Sequence, residues 1–566
     1  MFKSMTRLFG SRGLPGQDIV SQQSVLVGKI DSTVIRVAAC MIIGASILGI
    51  FAASSVLDDS YMFARYADNI LVGRGISFNP VSSPSYGLTS LGYLIVVIPF
   101  RFFVTHSPSL AMLFSSLCSG LAFIVMTVIM IRLVGRSFDP RWRRVSSLLV
   151  IVALAHAASD LAVHFVSGMD TMFALAYIAL YLVVATLFEK NSSPRYAIAA
   201  GILGGAAFWV RPDLLLYTVG IPVAIALFSK ESGTRLRSCV ALAITVTFTG
   251  LIVIVNARYF GSALPLPFYA KTFGLYGQTI ESVYRYEGLI QLHRFVASYA
   301  ILFSVIALAV AGGRKAWWES LSAVGKGAFV STVPFIVFYC CFVLQIMPHS
   351  QRFYYPSLPA ILLLTLESIR YFSQKHEAEF TTPSRFRDAA VIVVFVFYLA
   401  SPSAIWNLDR LPMIPGIWAQ GFELADDYRN RWTGYWCCLD EFSALPDDLV
   451  MAATEIGHPI AMNPRKCVID LTGLNETLLA HERFSASIFF SVYHPDLIFM
   501  PHVHYAEMIA DMTSDPFFRA NYDYYPPQIT GTELGISIRH NSRYYKRMKD
   551  IMDRSVMGRV SIRPRD

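Results

Sequence analysis

Long, nearly uncharged apolar runs recur along this 566-residue chain and limit its possible folds more than any other feature. A run of about 17–25 apolar residues is long enough to cross a bilayer as one helix. Only 15% of the residues are charged, whereas a soluble protein carries roughly a quarter. The chain is therefore neither a soluble nucleic-acid binder, a small disulfide scaffold nor a disordered tail, and we expect a polytopic α-helical membrane protein.

The apolar runs predict about eleven transmembrane helices. A twelfth stretch, Thr89–Val104, contains Pro99 and Arg101, and we interpret it as an interfacial helix in the first outer loop. If it crossed the membrane, the basic cluster after residue 134 would lie outside, against the positive-inside rule. The predicted crossings are 34–57, 110–134, 146–160, 171–188, 196–209, 213–229, 238–256, 298–312, 327–346, 354–370 and 389–406.

Charge divides the chain into two predicted domains. Residues 1–406 carry a net charge of +13 and residues 407–566 a net charge of −5. The basic loops place the N-terminus in the cytoplasm and residues 407–566 outside it, as a periplasmic or extracytoplasmic domain of an inner or plasma membrane protein. Short apolar runs separated by Pro, Gly and charge predict an α/β or β-rich fold for that domain. The runs are Leu449–Ala453, Cys467–Leu471, Leu497–Met500 and Gly535–Ile538.

Two adjacent carboxylates, Asp58 and Asp59, follow the first predicted crossing. The 21 residues of 37–57 span about 31 Å of helix, so both acids lie at the outer membrane–water boundary. A helix is predicted to follow, with Phe63 and Tyr66 on one face and Arg65 on the other. Acids in this position either cap the helix or act as a general base on a hydroxyl at the membrane surface.

Seven sequence elements occur in the order found in GT-C glycosyltransferases, and all lie in segments that the basic loops place outside. The chain resembles this superfamily, and within it the terminal β-1,2 arabinofuranosyltransferases of actinobacterial cell walls. The elements are DDSYMFARYADN at 58–69 with GRGISFNP at 73–80 and YGLTS at 86–90, SGMD at 167–170, RPD at 211–213, GSALP through YAK at 261–271, RFYYP at 352–356, AATEIG at 452–457 and VIDLTGLN at 468–475.

The resemblance implies an inverting glycosyltransferase without a covalent intermediate. Such an enzyme moves a sugar, here D-arabinofuranose, from a polyprenyl-phosphate carrier to an extracytoplasmic cell-envelope glycan. Asp170 and Asp213 stand where the family commonly has Glu, a departure that bears on the sugar and the acceptor more than on the reaction. Mannose or another sugar, or a pilin-like protein acceptor, are alternatives. A lipid-linked-sugar transporter and a non-catalytic assembly factor are alternatives of a different class.

The same resemblance assigns roles to individual residues. Asp58 or Asp59 is the catalytic base, with Asp59 preferred and Asp58 orienting it. Fixed positive charge stabilises a departing phosphate, and the candidates are Arg352, Lys271, His349 and Arg211. Candidates for binding the sugar or the acceptor are Asp170, Arg65, Tyr66, Tyr354, Glu455, Asp470 and Asn475. Snorkelling to lipid, helix capping and fold stabilisation remain alternatives for these residues, and no metal or other cofactor is predicted.

Overall fold

The computed structural model describes residues 56–80, 83–138, 140–272, 282, 284–345, 351–379 and 435–560. The last predicted crossing, 389–406, lies outside these residues, as does all of the first except residues 56 and 57. The predicted domain boundary near residue 406 also lies outside them and stays a prediction.

The described part of the chain up to residue 379 is almost entirely helical. Its helices are α1 (Ser60–Leu71), α2 (Leu94–Phe103), α3 (Pro108–Gly135), α4 (Pro140–His156), α5 (Ala158–Val166), α6 (Thr171–Asn191), α7 (Pro194–Val210), α8 (Leu215–Phe228), α9 (Ser232–Phe260), α10 (Leu266–Thr272), α11 (Glu287–Ser298), α12 (Ala300–Ala311), α13 (Arg314–Ser320), α14 (Ala323–Cys341) and α15 (Leu358–Glu379).

Four of these helices are long and apolar enough to cross a bilayer, namely α3, α6, α9 and α14. A fifth candidate is the pair α11 and α12, which is bent by 83° at its junction. Helices α4, α7, α8 and α15 coincide with four further predicted crossings. The chain thus has the helices of a multi-pass membrane protein, while the number eleven and the orientation of the termini stay predictions.

Helix α2 lies within the stretch that we interpret as interfacial. Its 10 residues extend only about 15 Å, which is too short for a crossing. Ile95, Phe102 and Phe103 are exposed, whereas Arg101 is buried and pairs with Asp68 of α1 at 2.8 and 3.0 Å. The charged residue is therefore neutralised inside the protein, and the apolar side chains are left on the surface.

Helix α1 is buried on both of its predicted faces. Tyr66 is fully buried, and so is Arg65, which is only 2% exposed. The helix contacts α2 and α3, and it also contacts helix α17 (Gly457–Met462) of the C-terminal part. The first outer loop is thereby enclosed between the two parts of the molecule.

A five-stranded sheet forms the centre of residues 435–560. Its strands are β1 (Val450–Ala453), β2 (Cys467–Asp470), β3 (Leu497–Phe499), β4 (Tyr522–Tyr525) and β5 (Ile536–Arg539), in the order β2-β1-β3-β5-β4. Strands β2, β1 and β3 are parallel, and β5 and β4 continue the sheet in antiparallel pairing. Four strands occupy the four predicted apolar runs, and β4 is an addition.

Short helices surround this sheet. They are α16 (Leu439–Ser443), α17, α18 (Thr477–Glu482), α19 (Ala486–Val492), α20 (Ala506–Ser514), α21 (Pro516–Asn521), α22 (Pro527–Thr530) and α23 (Tyr545–Val560). Ala453 of β1 is the register partner of Asp470 of β2, so both parallel strands end at one edge. Ligands of α/β sheets commonly bind outside the carboxyl ends of parallel strands, and Glu455, Gly457 and His458 follow β1 at this edge.

Candidate active site

Asp58 is bound by the segment that follows β1. Its Oδ2 accepts a hydrogen bond from the backbone N–H of Gly457 at 3.0 Å, and its Oδ1 accepts one from the N–H of His458 at 2.7 Å. The ring Nδ1 of His458 lies 2.5 Å from the same Oδ1. Three donors from one short segment thus occupy this carboxylate.

Asp59 has a different environment from its neighbour. Its Oδ2 accepts hydrogen bonds from both Nη atoms of Arg352, each at 3.2 Å, and its side chain is 27% exposed. Among the described residues, Oδ1 of Asp59 has no hydrogen-bond partner. Of the two adjacent acids, Asp59 therefore has the carboxylate oxygen that is open to another molecule.

Arg352 and Lys271 lie against the same aromatic ring. The guanidinium carbon of Arg352 is 5.1 Å from the ring centre of Phe353, and Nζ of Lys271 is 6.0 Å from it. Burial and repulsion from Arg352 lower the pKa of Lys271 to about 8, although Asp59 acts in the opposite direction. Two cations therefore lie close to Asp59, and a further anion beside them would reduce their mutual repulsion.

Arg211 is neutralised within its own loop. Its Nε and Nη2 each donate to a carboxylate oxygen of Asp213 at 3.1 Å, and Nη2 also donates to the hydroxyl of Tyr339 at 2.7 Å. That hydroxyl donates to Oδ2 of Asp213 at 2.7 Å. This network orients a guanidinium whose charge is already balanced, so the predicted role of Arg211 in phosphate binding stays a prediction.

Asp170 immediately precedes α6 and is 6% exposed. Asp170 is the N-cap residue of that helix, but its side chain makes no capping hydrogen bond to it. Burial raises its pKa, and the nearby charges of Arg211 and Arg352 oppose this effect. Asp170 therefore lies within electrostatic range of both Arg211 and Arg352.

Glu455 adds a third acid from the C-terminal part. It follows β1 and is 9% exposed. Burial, and next the negative charges of Asp58 and Asp59, raise its pKa well above the ordinary value. The raised pKa favours the protonated carboxyl of Glu455, a form that can donate a hydrogen bond.

Arg65 is anchored by backbone carbonyl groups. Its Nε donates to the oxygen of Phe78 at 2.9 Å, Nη1 to that of Asn463 at 2.9 Å and Nη2 to that of Lys466 at 2.5 Å. Burial lowers its pKa to about 10. These contacts join the first outer loop to the C-terminal part, and a sugar contact of Arg65 stays a prediction.

A buried network connects Tyr66, Asn475 and Asp470. The Tyr66 hydroxyl donates to Oδ1 of Asn475 at 3.0 Å, and Nδ2 of Asn475 donates to Oδ2 of Asp470 at 2.9 Å. Burial raises the pKa of Asp470, and hydrogen bonds from Thr472 and Asn475 oppose this rise. These groups form hydrogen bonds with one another inside the protein, so their predicted sugar contacts stay predictions.

Tyr354 is likewise internal. It is fully buried, its hydroxyl donates to the carbonyl oxygen of Gly288 at 2.8 Å, and Nε2 of Gln345 donates to that hydroxyl at 3.0 Å. The tyrosine therefore fixes α11 beside the segment that carries Arg352. A direct sugar contact of Tyr354 stays a prediction, and His349 lies outside the described residues.

The main contribution that sequence reasoning missed is His458. The preceding residues Glu455 and Gly457 belong to the element 452–457 that resembles the GT-C family, and this was the available signal.

No group of three or more His, Cys, Asp or Glu side chains within the described ranges is arranged to hold a metal ion. The expectation of no metal or other cofactor stays a prediction.

No protein-family model matches the chain, and no curated protein matches it in sequence. Solved structures that resemble it include two crystal structures of ArnT from Cupriavidus metallidurans. The structure bound to undecaprenyl phosphate is 14% identical, covers 89% of this chain and 98% of the ArnT chain, and has a TM-score of 0.48. The apo structure is 13% identical, covers 88% and 97%, and has the same TM-score of 0.48. Similarity at this level does not identify a site or a substrate.

Proposed function

We propose that this protein is a membrane-embedded GT-C glycosyltransferase that uses a polyprenyl-phosphate-linked sugar as its donor. The observation that supports it best is the arrangement around Asp59. This carboxylate has one open oxygen, while its other oxygen is bound by Arg352, with Lys271 close by. Transfer from a phosphate carrier needs a base for the acceptor and cations for the leaving group, and these residues have both chemistries.

The reaction is a single displacement with inversion. Asp59 takes the proton of the acceptor hydroxyl as its oxygen forms a bond to the anomeric carbon of the donor. The bond from that carbon to the phosphate oxygen breaks, and the electron pair leaves with the polyprenyl phosphate. Arg352 and Lys271 stabilise the negative charge that develops on the phosphate.

Arg352 has a second role in this scheme. Before the donor binds, its guanidinium neutralises Asp59 through both Nη atoms. A donor phosphate competes for the same two Nη atoms, since guanidinium groups bind phosphate oxygens as well as carboxylates. Binding of the donor therefore weakens the Arg352–Asp59 pair and leaves Asp59 a better proton acceptor at the moment when it is needed.

The proposed identity of the sugar and of the acceptor rests on the sequence elements that resemble the terminal arabinofuranosyltransferases. The proposed sugar is D-arabinofuranose, and the proposed acceptor is a cell-envelope glycan. The protein acts in the inner or plasma membrane with residues 407–566 on the extracytoplasmic side. In its protonated form, which the raised pKa favours, Glu455 donates a hydrogen bond to a hydroxyl of the acceptor as it approaches Asp59.

The decisive experiment is transfer by the purified protein reconstituted in lipid vesicles. Radiolabelled polyprenyl-phosphoryl-arabinose and its mannose analogue are supplied separately, each with a short arabinan as acceptor. Transfer of arabinose with inversion of the anomeric centre supports the full proposal. Transfer of mannose alone would mean that the donor sugar is mannose and not arabinose. Failure of both donors, with arabinan and with a pilin-like protein acceptor, contradicts the proposed function.

A further inference from the structure

His458 contacts the first outer loop at two places. Its backbone N–H and its ring Nδ1 both meet Oδ1 of Asp58, and its ring lies edge-on to Tyr61, with ring centres 5.3 Å apart and planes at 73°. We assign the hydrogen of this bond to Nδ1 of His458, the tautomer in which the ring donates to the same oxygen that accepts its backbone N–H. The imidazole thus holds a side chain that lies next to the proposed base.

The position of Asp58 determines the start of α1. The carbonyl oxygen of Asp58 accepts a hydrogen bond from the N–H of Tyr61 at 3.1 Å, while that of Asp59 accepts one from the N–H of Met62 at 3.3 Å. Asp58 is therefore held by its backbone from within the loop and by its carboxylate from the C-terminal part. Because Asp59 is the next residue, its position follows directly from that of Asp58.

Four charged or titratable groups of the candidate site bear on this contact. Asp58, Asp59 and Glu455 are acids, whereas Arg352 is the cation that binds Asp59. If Asp58 lost its donors, its carboxylate would be free to compete with Asp59 for the Arg352 guanidinium. The ring of His458 opposes this exchange together with the backbone N–H groups of Gly457 and His458, since these three donors occupy both carboxylate oxygens.

We propose that His458 is a positioning residue for the transfer reaction. Its Nδ1–H holds Asp58 away from Arg352 and from the acceptor, so that Asp59 alone faces the acceptor hydroxyl. This inference rests on the proposed function. It assigns to the C-terminal part a contribution to the chemical step itself, through a residue that does not touch the substrate.

Three substitutions separate the hydrogen bond from the volume of the ring. In His458→Asn, the side-chain amide nitrogen takes the place of Nδ1, so the bond to Asp58 is kept. In His458→Gln the nitrogen takes the place of Nε2, and in His458→Ala the side-chain donor is lost while the backbone N–H remains. A matched control is His540→Ala, which removes another histidine–aspartate contact, Nε2 to Oδ1 of Asp523 at 2.8 Å, at the far edge of the same sheet.

We expect His458→Ala and His458→Gln to lower kcat for transfer by roughly 10- to 100-fold, the scale of a misplaced catalytic group. The KM for the donor should rise in the same two variants, since the released Asp58 carboxylate competes for Arg352, which is proposed to bind the donor phosphate. His458→Asn should retain most of the activity, and His540→Ala should match the wild type. An unchanged kcat in His458→Ala, or equal losses in the Asn and Ala variants at equal thermal stability, would overturn the proposal.

Amide hydrogen exchange gives a readout that does not depend on the reaction. In His458→Ala, the amides of residues 60–63 should exchange faster than in the wild type, and in His458→Asn they should not. Equal protection in all variants overturns the positioning role. Absence of transfer by the wild-type protein contradicts the proposed function instead, so the two failures are distinguishable.

Discussion

Arg352 binds Asp59 through both of its Nη atoms, at 3.2 Å each, across 293 residues of sequence. The pair is only partly exposed, with side-chain exposures of 10% and 27%. A cation that neutralises the proposed base is also the best-placed partner for the phosphate of the donor. Competition between the two anions for one guanidinium therefore links donor binding to activation of the base.

The two adjacent aspartates should respond differently to the same substitution. Asp59→Asn removes the proposed base and should lower kcat by about 10²–10⁴-fold, with little change in the thermal unfolding midpoint. Asp58→Asn weakens the contacts to Gly457 and His458 and should lower that midpoint while a measurable fraction of transfer remains. Initial rates and detergent-solubilised unfolding curves test both statements. Equal rates for Asp59→Asn and the wild type would remove Asp59 from the chemistry.

Lys271 should make donor use pH-dependent. Its pKa is lowered to about 8, so it loses its proton as the pH rises through that value. The kcat/KM for the donor, which reports on free-enzyme groups, should therefore fall between about pH 7.5 and pH 9. Lys271→Arg keeps its charge over this range, and its profile should be flatter. The same decline in both proteins would assign the titration to another group.

Glu476 should make stability depend on pH. Burial raises its pKa to about 8, against 4.5 as the ordinary value, while Asn79 and Tyr493 donate hydrogen bonds to it. Between these pH values the unfolded state has lost the proton that the folded state retains. The free energy of unfolding therefore falls as the pH rises from about 4.5 to about 8, by up to about 1.4 kcal/mol per pH unit.

Glu476→Gln removes this titration, so its advantage in unfolding midpoint over the wild type should grow between pH 5 and pH 8. Glu482→Gln is the control, because Glu482 is exposed at the end of α18. A constant difference between Glu476→Gln and the wild type over that range would contradict the shifted pKa.

Gly457 should not tolerate a side chain. A Cβ there would lie 2.1 Å from the carbonyl oxygen of Asp58 and 2.5 Å from its carboxylate carbon. Gly457→Ala should cost about 1–3 kcal/mol of stability and reduce transfer, because Asp58 must move. In Gly250→Ala the new Cβ meets nothing within 4 Å in α9, and this control should behave as the wild type. An active, fully stable Gly457→Ala would contradict the close approach.

Removal of divalent metal ions should leave transfer unchanged. Arg352 and Lys271 already supply positive charge where the phosphate is proposed to bind. We expect less than about a twofold change in rate with excess EDTA. A large loss that Mn²⁺ or Mg²⁺ restores, with no loss of folded protein, would show that the leaving group needs a metal as well.

Local patterns predicted the secondary structure well where one periodicity dominates. The apolar runs of α3, α6, α9 and α14 are long enough to leave no alternative to a helix. The four runs predicted as strands are strands in the structure. Strand β4 was not predicted from the sequence because Tyr522–Tyr525 is an edge segment with only its first residue buried, and it has no apolar run.

The candidate site was harder to predict because its contacts join distant segments. The adjacency of Asp58 and Asp59 is visible in the sequence, but their different partners are not. Arg65 looked like a substrate ligand because a cation on an outer loop invites one, yet it binds three carbonyl oxygens. Such contacts depend on how the C-terminal part docks onto α1, and no short-range pattern encodes that docking.

The bond between Asp58 and Gly457 closes a loop of 399 residues, and this has a consequence for biosynthesis. At about 5–20 residues per second of translation, roughly 20–80 s pass between synthesis of the two partners. During that interval the nascent chain already contains Asp58 and Asp59, but not the segment that holds Asp58 in place. The first outer loop therefore gains its ordered arrangement only after residue 457 has been synthesised, and truncated chains that stop before that residue carry the aspartates without the means to position them.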